Sequence, residues 1–342
     1  MEGVQCFIKR DDLSGCDVSG NKVRKLEFLL ADAVANGDYD SVVTIGGAQS
    51  NHARATAVAA RQLGLDPHLI LRGPKGEADS LTGNLLFDQL VGAKIYPVTA
   101  AEYGEAGQEK LCGELAERLR KEGRRPYVVP VGGSNAVGVW GYMNFVRELM
   151  EQVAASGTVI HHVIFACGSG GTAAGLALGF QLLRHHLSDK GEDTSTVVPK
   201  IHAVGVCDSP DVFYAHIEEM AQTVGAPMEA LGDVRSWIKL YQGQGLGYAQ
   251  SRPGELQYLA KLARSTGVLL DPVYSGKAAY YAFADTATAD ADSEGGGITI
   301  PMGESCMFLH TGGVFGTYDK VSELVSSGAV DPSSQVVAGW RS

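Results

Sequence analysis

Several short segments combine glycines, hydroxyls and cations in ways that suit the capture of a phosphate and a carbonyl. In Phe165-Ala-Cys-Gly-Ser-Gly-Gly-Thr-Ala-Ala-Gly175 an apolar run ends in glycines that open a helical stretch. Such a turn bares backbone N–H groups, and the helix N-terminus adds partial positive charge. Gly168, Ser169, Gly170, Gly171 and Thr172 are therefore a candidate phosphate cradle, with two hydroxyls as extra donors. Two other readings stay open. One is a tight turn without a ligand. The other is the dinucleotide fingerprint, Gly168-x-Gly-x-x-Ala173, of a nicotinamide oxidoreductase. That motif wants an acidic residue about 20 positions on, and here the next strand ends later, at Asp208.

Ser19-Gly-Asn-Lys-Val-Arg-Lys-Leu-Glu27 follows Lys9-Arg-Asp-Asp-Leu13 and sets three cations within four residues. The plain alternative is a solvated helix face. However, the Leu26–Ala35 stretch is apolar, so this helix start should be packed, and Lys22 directly follows Gly-Asn, which lets the backbone approach a ligand closely. A lysine desolvated beside other cations loses basicity and becomes a nucleophile for a carbonyl. Thr44-Ile-Gly-Gly-Ala-Gln-Ser-Asn-His52 is a second turn of this kind. It delivers Ser50 as a helix N-cap and aims the amides around Ser50, Asn51 and His52 at an anion such as a substrate carboxylate. Tyr248, in a Gly-rich loop, and Tyr274 with Ser275, in Asp271-Pro-Val-Tyr-Ser-Gly-Lys277, are either site residues or filler. Phe308-Leu-His-Thr-Gly-Gly-Val-Phe-Gly316 is a third strand-to-glycine turn. Three such turns point to one crevice at the carboxyl ends of strands.

The elements that would position these turns alternate along the whole chain. Strands are expected at Val4–Ile8, Ser41–Ile45, His68–Leu71, Lys94–Val98, Tyr127–Val131, Val163–Cys167, Ile201–Val206, Trp237–Leu240 and Met307–His310. Most are continuous apolar runs, the pattern of parallel strands covered on both faces. Helices are expected at Asn51–Leu63, Thr82–Val91, Gln108–Glu122 and Thr172–His186. This order implies parallel sheets with right-handed crossovers. Leu187–Pro199 and Ala284–Gly297 read as surface insertions, Met220–Gly254 holds a loop over the site, and residues 155–160 divide two β-α blocks.

The 342 residues suffice for two domains, and the net charge of −11 disfavours a nucleic-acid partner. Six cysteines without a Cys-x-x-Cys pair suggest neither zinc nor a disulfide framework, and Cys167 and Cys207 are expected as buried thiols in a reducing compartment. No apolar run reaches the roughly 18–20 residues of a membrane span, and no signal peptide is visible. The strand beginning almost at Met1 suggests a trimmed chain, which leaves the compartment unassigned.

Lys9-Arg-Asp-Asp-Leu, Gly20-Asn-Lys-Val-Arg-Lys-Leu-Glu, Gly46-Gly-Ala-Gln-Ser-Asn-His, Gly83-Asn, Asp271-Pro-Val-Tyr-Ser-Gly-Lys and His310-Thr-Gly-Gly occur in the order of one known group. Together they resemble the aminocyclopropane-carboxylate deaminase and D-cysteine desulfhydrase family of fold-type II pyridoxal-phosphate enzymes, over nearly the whole chain. The resemblance implies an α/β architecture of two open twisted, mainly parallel sheets with helices on both faces, as in the tryptophan synthase beta chain. It implies a large cofactor domain of residues 1–40 plus 156–342, a small domain of residues 41–155, and a homodimer. The family's usual segment before Lys9 is missing, and the Ala284–Gly297 connection is longer than usual.

By the same resemblance Lys22 is the Schiff-base lysine, Lys25 and the 168–172 turn bind the phosphate, and Asn51 meets the cofactor's ring hydroxyl. Ser50 receives the substrate carboxylate, Tyr248 and Tyr274 flank the substrate, and Ser275 faces the pyridine nitrogen. Cyclopropane deaminases carry Glu at the position of Ser275 and Leu at that of Thr311, whereas members acting on D-cysteine carry Ser or Thr and then Thr. A Glu there keeps the ring nitrogen protonated and deepens the electron sink; a Ser suffices when a thiolate departs. The implied reaction is elimination of D-cysteine to pyruvate, ammonia and hydrogen sulfide. Lys22 takes the α-proton, with Ser50 as a variant, and Tyr274 or Tyr248 assists the leaving sulfur. Cyclopropane deamination, a silent amino-acid-binding protein and a nicotinamide oxidoreductase are the alternatives.

Overall fold

The computed structural model describes residues 3–73, 81–194, 197–284 and 297–332. Nine parallel strands form two sheets among them. Strands β1 (Gln5–Arg10), β6 (His162–Cys167), β7 (Lys200–Gly205), β8 (Lys239–Gln242) and β9 (Ser305–His310) make a five-stranded sheet in the order β1-β9-β6-β7-β8. Strands β2 (Ser41–Gly47), β3 (Asp66–Arg72), β4 (Lys94–Val98) and β5 (Pro126–Val128) make a four-stranded sheet in the order β4-β3-β2-β5. The helices are α1 (Lys22–Asn36), α2 (Asn51–Gln62), α3 (Gly83–Leu90), α4 (Ala100–Lys121), α5 (Ala136–Ser156), α6 (Gly171–Asp189) and α7 (Pro210–Val224). Two single turns, α8 (Met228–Leu231) and α9 (Val234–Trp237), precede α10 (Pro253–Thr266), α11 (Ser275–Phe283) and α12 (Val321–Ser326).

Strand β6 shows why the apolar runs are continuous. Val163, Phe165 and Cys167 face a core shared with α5, α6 and α7, while Ile164 and Ala166 face a second core with α10 and α11. Because side chains alternate, a strand covered on both faces needs apolar residues at every position. The four-stranded sheet is covered likewise, by α4 on the Val43, Ile45 and Ile70 side and by α2 and α3 over Leu69 and Leu71. Helix α5, within the segment 41–155 expected as a small domain, packs Val139, Tyr142 and Phe145 into the core of the five-stranded sheet.

Some boundaries differ from expectation. Helix α4 starts at Ala100, behind a Thr99–Glu102 capping box, and is broken at Gly107 (φ 75°); only its second piece carries the clear apolar periodicity. Trp237 ends a helical turn capped by Asp233 instead of opening a strand, and its indole donates to the Leu231 carbonyl at 2.8 Å. The chain leaves β5 after Val128 and enters a short helical turn at Val131–Gly133. Helix α5 closes at Gly157 in the left-handed conformation, inside the expected divide at 155–160. Cys167 is buried, but Cys207 is only half-buried. Most of the Ala284–Gly297 connection lies outside the described residues.

Candidate active site

The glycine turns after β2, β6 and β9 open on one cavity of about 860 Å³ between the two sheets. Its wall includes Lys22, Lys25, Ser50, Asn51, His52, Gly168, Ser169, Gly170, Thr172, Tyr248, Tyr274 and Thr311. Gly171 and Ser275 do not line it.

Helical spacing sorts the three cations of α1. Arg24 turns away from the cavity, pairing with Asp11 at 2.8 Å and Glu148 at 2.8 Å. Lys22 and Lys25, three apart on the other side, face the cavity. Burial, helped by the nearby Arg54 cation, lowers the Lys22 amine to about 8. Burial and then Lys22 push Lys25 well below the usual lysine range. The solvated-face alternative therefore fails for Lys22 and Lys25. Gly20 (φ +84°) makes their approach possible, since a Cβ there would lie 2.5 Å from the Thr311 carbonyl oxygen. The same carbonyl accepts from Asn21 N–H at 3.0 Å.

At the start of α6, the 168–172 turn is ringed by donors. Lys25 Nζ donates to the Gly132 carbonyl at 3.0 Å, and Ser134 Oγ lies 2.7 Å from Ser169 Oγ. Asn21 Nδ2 donates to Thr172 Oγ1 at 3.1 Å, which leaves the Thr172 hydroxyl proton for the cavity. A Cβ at Gly171 would meet Ser134 Oγ at 2.5 Å and Lys25 Nζ at 2.8 Å, so a larger residue there would displace both of these side-chain ends. These donors fit a phosphate, and Lys22 in the same cavity fits an aldehyde. Sequence reasoning missed Asn21 and Ser134. The signal was there for Ser134, because Val131-Gly-Gly-Ser-Asn135 repeats the strand-to-glycine pattern of Ile45-Gly-Gly.

Ser50 caps α2, its Oγ accepting from Ala53 N–H at 3.1 Å. Thr44 gives its hydroxyl proton to the Val129 carbonyl at 2.8 Å, so His52 Nε2, 2.9 Å from that hydroxyl, must donate to it. Burial first, and then Lys22 and Lys25, keep His52 well below the ordinary histidine range, so it is neutral. Tyr248 and Tyr274 touch through their hydroxyls at 2.7 Å. Cys207 lines the cavity and donates to the Gly168 carbonyl at 2.9 Å. Ser275 departs from expectation. It is fully buried, and its hydroxyl and N–H both turn to the Asp271 carboxylate, which anchors the first turn of α11.

Fold and cavity together set a desolvated lysine amine and a glycine-rich helix N-terminus on one cavity of an α/β protein. A family model described as "Pyridoxal-phosphate dependent enzyme" matches residues 1–302, and the chain belongs to that family. Its glycine turn is therefore not that of a nicotinamide enzyme. The chain is 44% identical over 95% of its length, and 76% of the relative's, to a bifunctional D-cysteine desulfhydrase/1-aminocyclopropane-1-carboxylate deaminase, mitochondrial, of Arabidopsis thaliana. It is 37% identical to a D-cysteine desulfhydrase of Serratia proteamaculans, covering 91% of this chain and 87% of that one. A solved structure of an ACC deaminase homologue superposes with a TM-score of 0.75 at 34% identity, covering 95% and 89% of the two chains. Among the described residues, no helix is long and apolar enough to cross a membrane.

Proposed function

We propose that the chain eliminates D-cysteine to pyruvate, ammonia and hydrogen sulfide, with one water consumed. The observation that carries this reading is the meeting of the Lys22 amine, the 168–172 turn and the paired tyrosines on one cavity wall. Bound pyridoxal phosphate supplies an electron sink for the bond breaking at the substrate's α and β carbons. Lys22 would hold it covalently, Lys25 and the 168–172 donors would hold its phosphate, and Asn51 would donate to its ring oxygen.

Ser50 and the amides at the start of α2 receive the substrate carboxylate, which sets the α-carbon beside Lys22. Lys22, once displaced by the substrate amine, is neutral often enough near pH 7 to take the α-proton. Ser50 is the alternative base. The paired phenols of Tyr248 and Tyr274 deliver a proton to the departing sulfur. The product aminoacrylate hydrolyses in water.

Cyclopropane deamination is the second reading, favoured by the name of the Arabidopsis relative and by the solved homologue. Of the two subfamily positions only Thr311 lines the cavity, and a Thr there, where by the resemblance cyclopropane deaminases carry Leu, supports desulfhydration. Rates on D-cysteine, L-cysteine and aminocyclopropane-carboxylate test this directly, with D-cysteine expected fastest. Ser275→Glu with Thr311→Leu should shift the ratio toward ring opening; an unchanged ratio would remove the subfamily argument. A homodimer is proposed alongside, on the family resemblance, and sedimentation equilibrium checks it.

A further inference from the structure

The Gly83-Asn84 motif has no part in the chemistry above. Asn84, fully buried at the first turn of α3, is fixed by four hydrogen bonds. Its N–H donates to Gln49 Oε1 at 3.0 Å, and its Nδ2 donates to the Gln49 carbonyl at 3.0 Å and to Asn51 Oδ1 at 3.0 Å. Its Oδ1 accepts from Arg54 Nε at 3.1 Å. Gly83 (φ +57°) permits the turn, since a Cβ there would come 2.7 Å from both Gln49 Oε1 and the Phe315 carbonyl oxygen. Arg54 is fully buried as well, donates to the Asp17 carbonyl, and stacks 4.9 Å from the Phe315 ring centroid. Neither Arg54 nor Asn84 lines the cavity, whereas Asn51 does.

We propose that Arg54 and Asn84 are positioning residues that orient the side-chain amide of Asn51 so that it offers the cavity a donor. The argument is one of directionality. A guanidinium has donors only, so Asn84 must turn Oδ1 toward it and Nδ2 away. That Nδ2 can only donate, so Asn51 turns its own Oδ1 back to Asn84 and is left with Nδ2 facing the cavity. Arg54, which keeps its proton at neutral pH, is the fixed end that prevents the order from reversing. A donor here suits an oxygen carrying negative charge, such as the ring oxygen of the cofactor. The inference rests on that part of the proposed reading. Arg54 also lowers the Lys22 amine, so it is close enough to act on the site by charge too.

Asn84→Asp tests the relay. Aspartate keeps the size and still accepts from Arg54, but it cannot donate, so Asn51 must invert and present Oδ1 to the cavity. The dissociation constant of pyridoxal phosphate from the apoprotein should rise about tenfold or more, with a shifted absorption maximum of the bound cofactor. Asn84→Ala, which adds no buried charge, should weaken binding less but in the same direction. In an Asn51→Ala background, neither change should weaken binding further. Asn84→Asp that binds like the parent, while Asn51→Ala binds weakly, overturns the relay. Equal losses in both backgrounds would make Asn84 merely structural and also overturn it. If Asn51→Ala itself binds normally, the assignment of Asn51 to the ring oxygen fails, and the relay with it.

Discussion

The hydroxyl oxygens of Tyr248 and Tyr274 lie 2.7 Å apart, joining the Gly-rich loop to the start of α11 at the cavity wall. One phenol proton is spent in that bond and the other is left to give. Burial raises both phenols above their usual range, so both are protonated at neutral pH and act as acids, not bases. Replacing by Phe the tyrosine that accepts in this bond, and so keeps a proton to give, should lower D-cysteine turnover roughly a hundredfold, and replacing its partner should cost less. Chloride needs no proton to leave, so β-chloro-D-alanine should restore the slower of the two variants. A variant equally slow on both substrates would show that its hydroxyl orients the substrate and protonates nothing.

The burial of Lys22 predicts a pH-dependent cost to the apoprotein. Its amine is lowered from the usual value to about 8, so the unfolded chain binds this proton more tightly than the folded one. The penalty is fully present below pH 8 and disappears as pH rises through the ordinary lysine range. Apo Lys22→Met should therefore be more stable than the apo parent near pH 7, by about 2–3 kcal/mol. The gap should close between about pH 8 and 10.5. Urea denaturation at several pH values reads this, and a constant gap would contradict it. The same variant should lose all covalent cofactor after borohydride treatment.

Thr172 lines the cavity beside the first turn of α6 and accepts from Asn21, which leaves its own hydroxyl proton unspent. Thr172→Ala should weaken cofactor binding by about 1.5–3 kcal/mol, one hydrogen bond to a charged acceptor. Asn21→Ala, which only frees that hydroxyl to rotate, should cost less. Equal affinity of Thr172→Ala and parent in a fluorescence titration would move the phosphate elsewhere.

Lys277 sits under the Tyr248 loop. Its buried ammonium donates to the carbonyls of Gln244 at 2.7 Å and Gln250 at 2.6 Å, with Glu255 at 3.5 Å. Lys277→Met would leave that carboxylate and both carbonyls without their cation, at a cost of about 3–5 kcal/mol. Amide exchange across residues 243–251 should accelerate and KM should rise. Parent-like protection there would mean that another contact holds the loop.

Much of this was legible because it is local. Continuous apolar runs announced buried parallel strands, and the glycines ending them announced the turns. The cap of α2 by Ser50 and the placing of Lys22 and Lys25 on one side of α1 follow from helical spacing alone. Ser275 shows the limit even at short range: the Asp271 carboxylate four residues earlier takes its hydroxyl away from the cavity, and spacing does not state which acceptor wins. The longer contacts needed the fold. Asn21 and Thr172 are 151 positions apart, Lys25 and Gly132 are 107, and Asn84 and Asn51 are 33. A sequence by itself sets torsional preference, burial period and charge, all of which act within a few residues. Which turn faces which follows from the strand order of two separate sheets, and only that order brings a lysine amine, a glycine cradle and a pair of phenols to one wall.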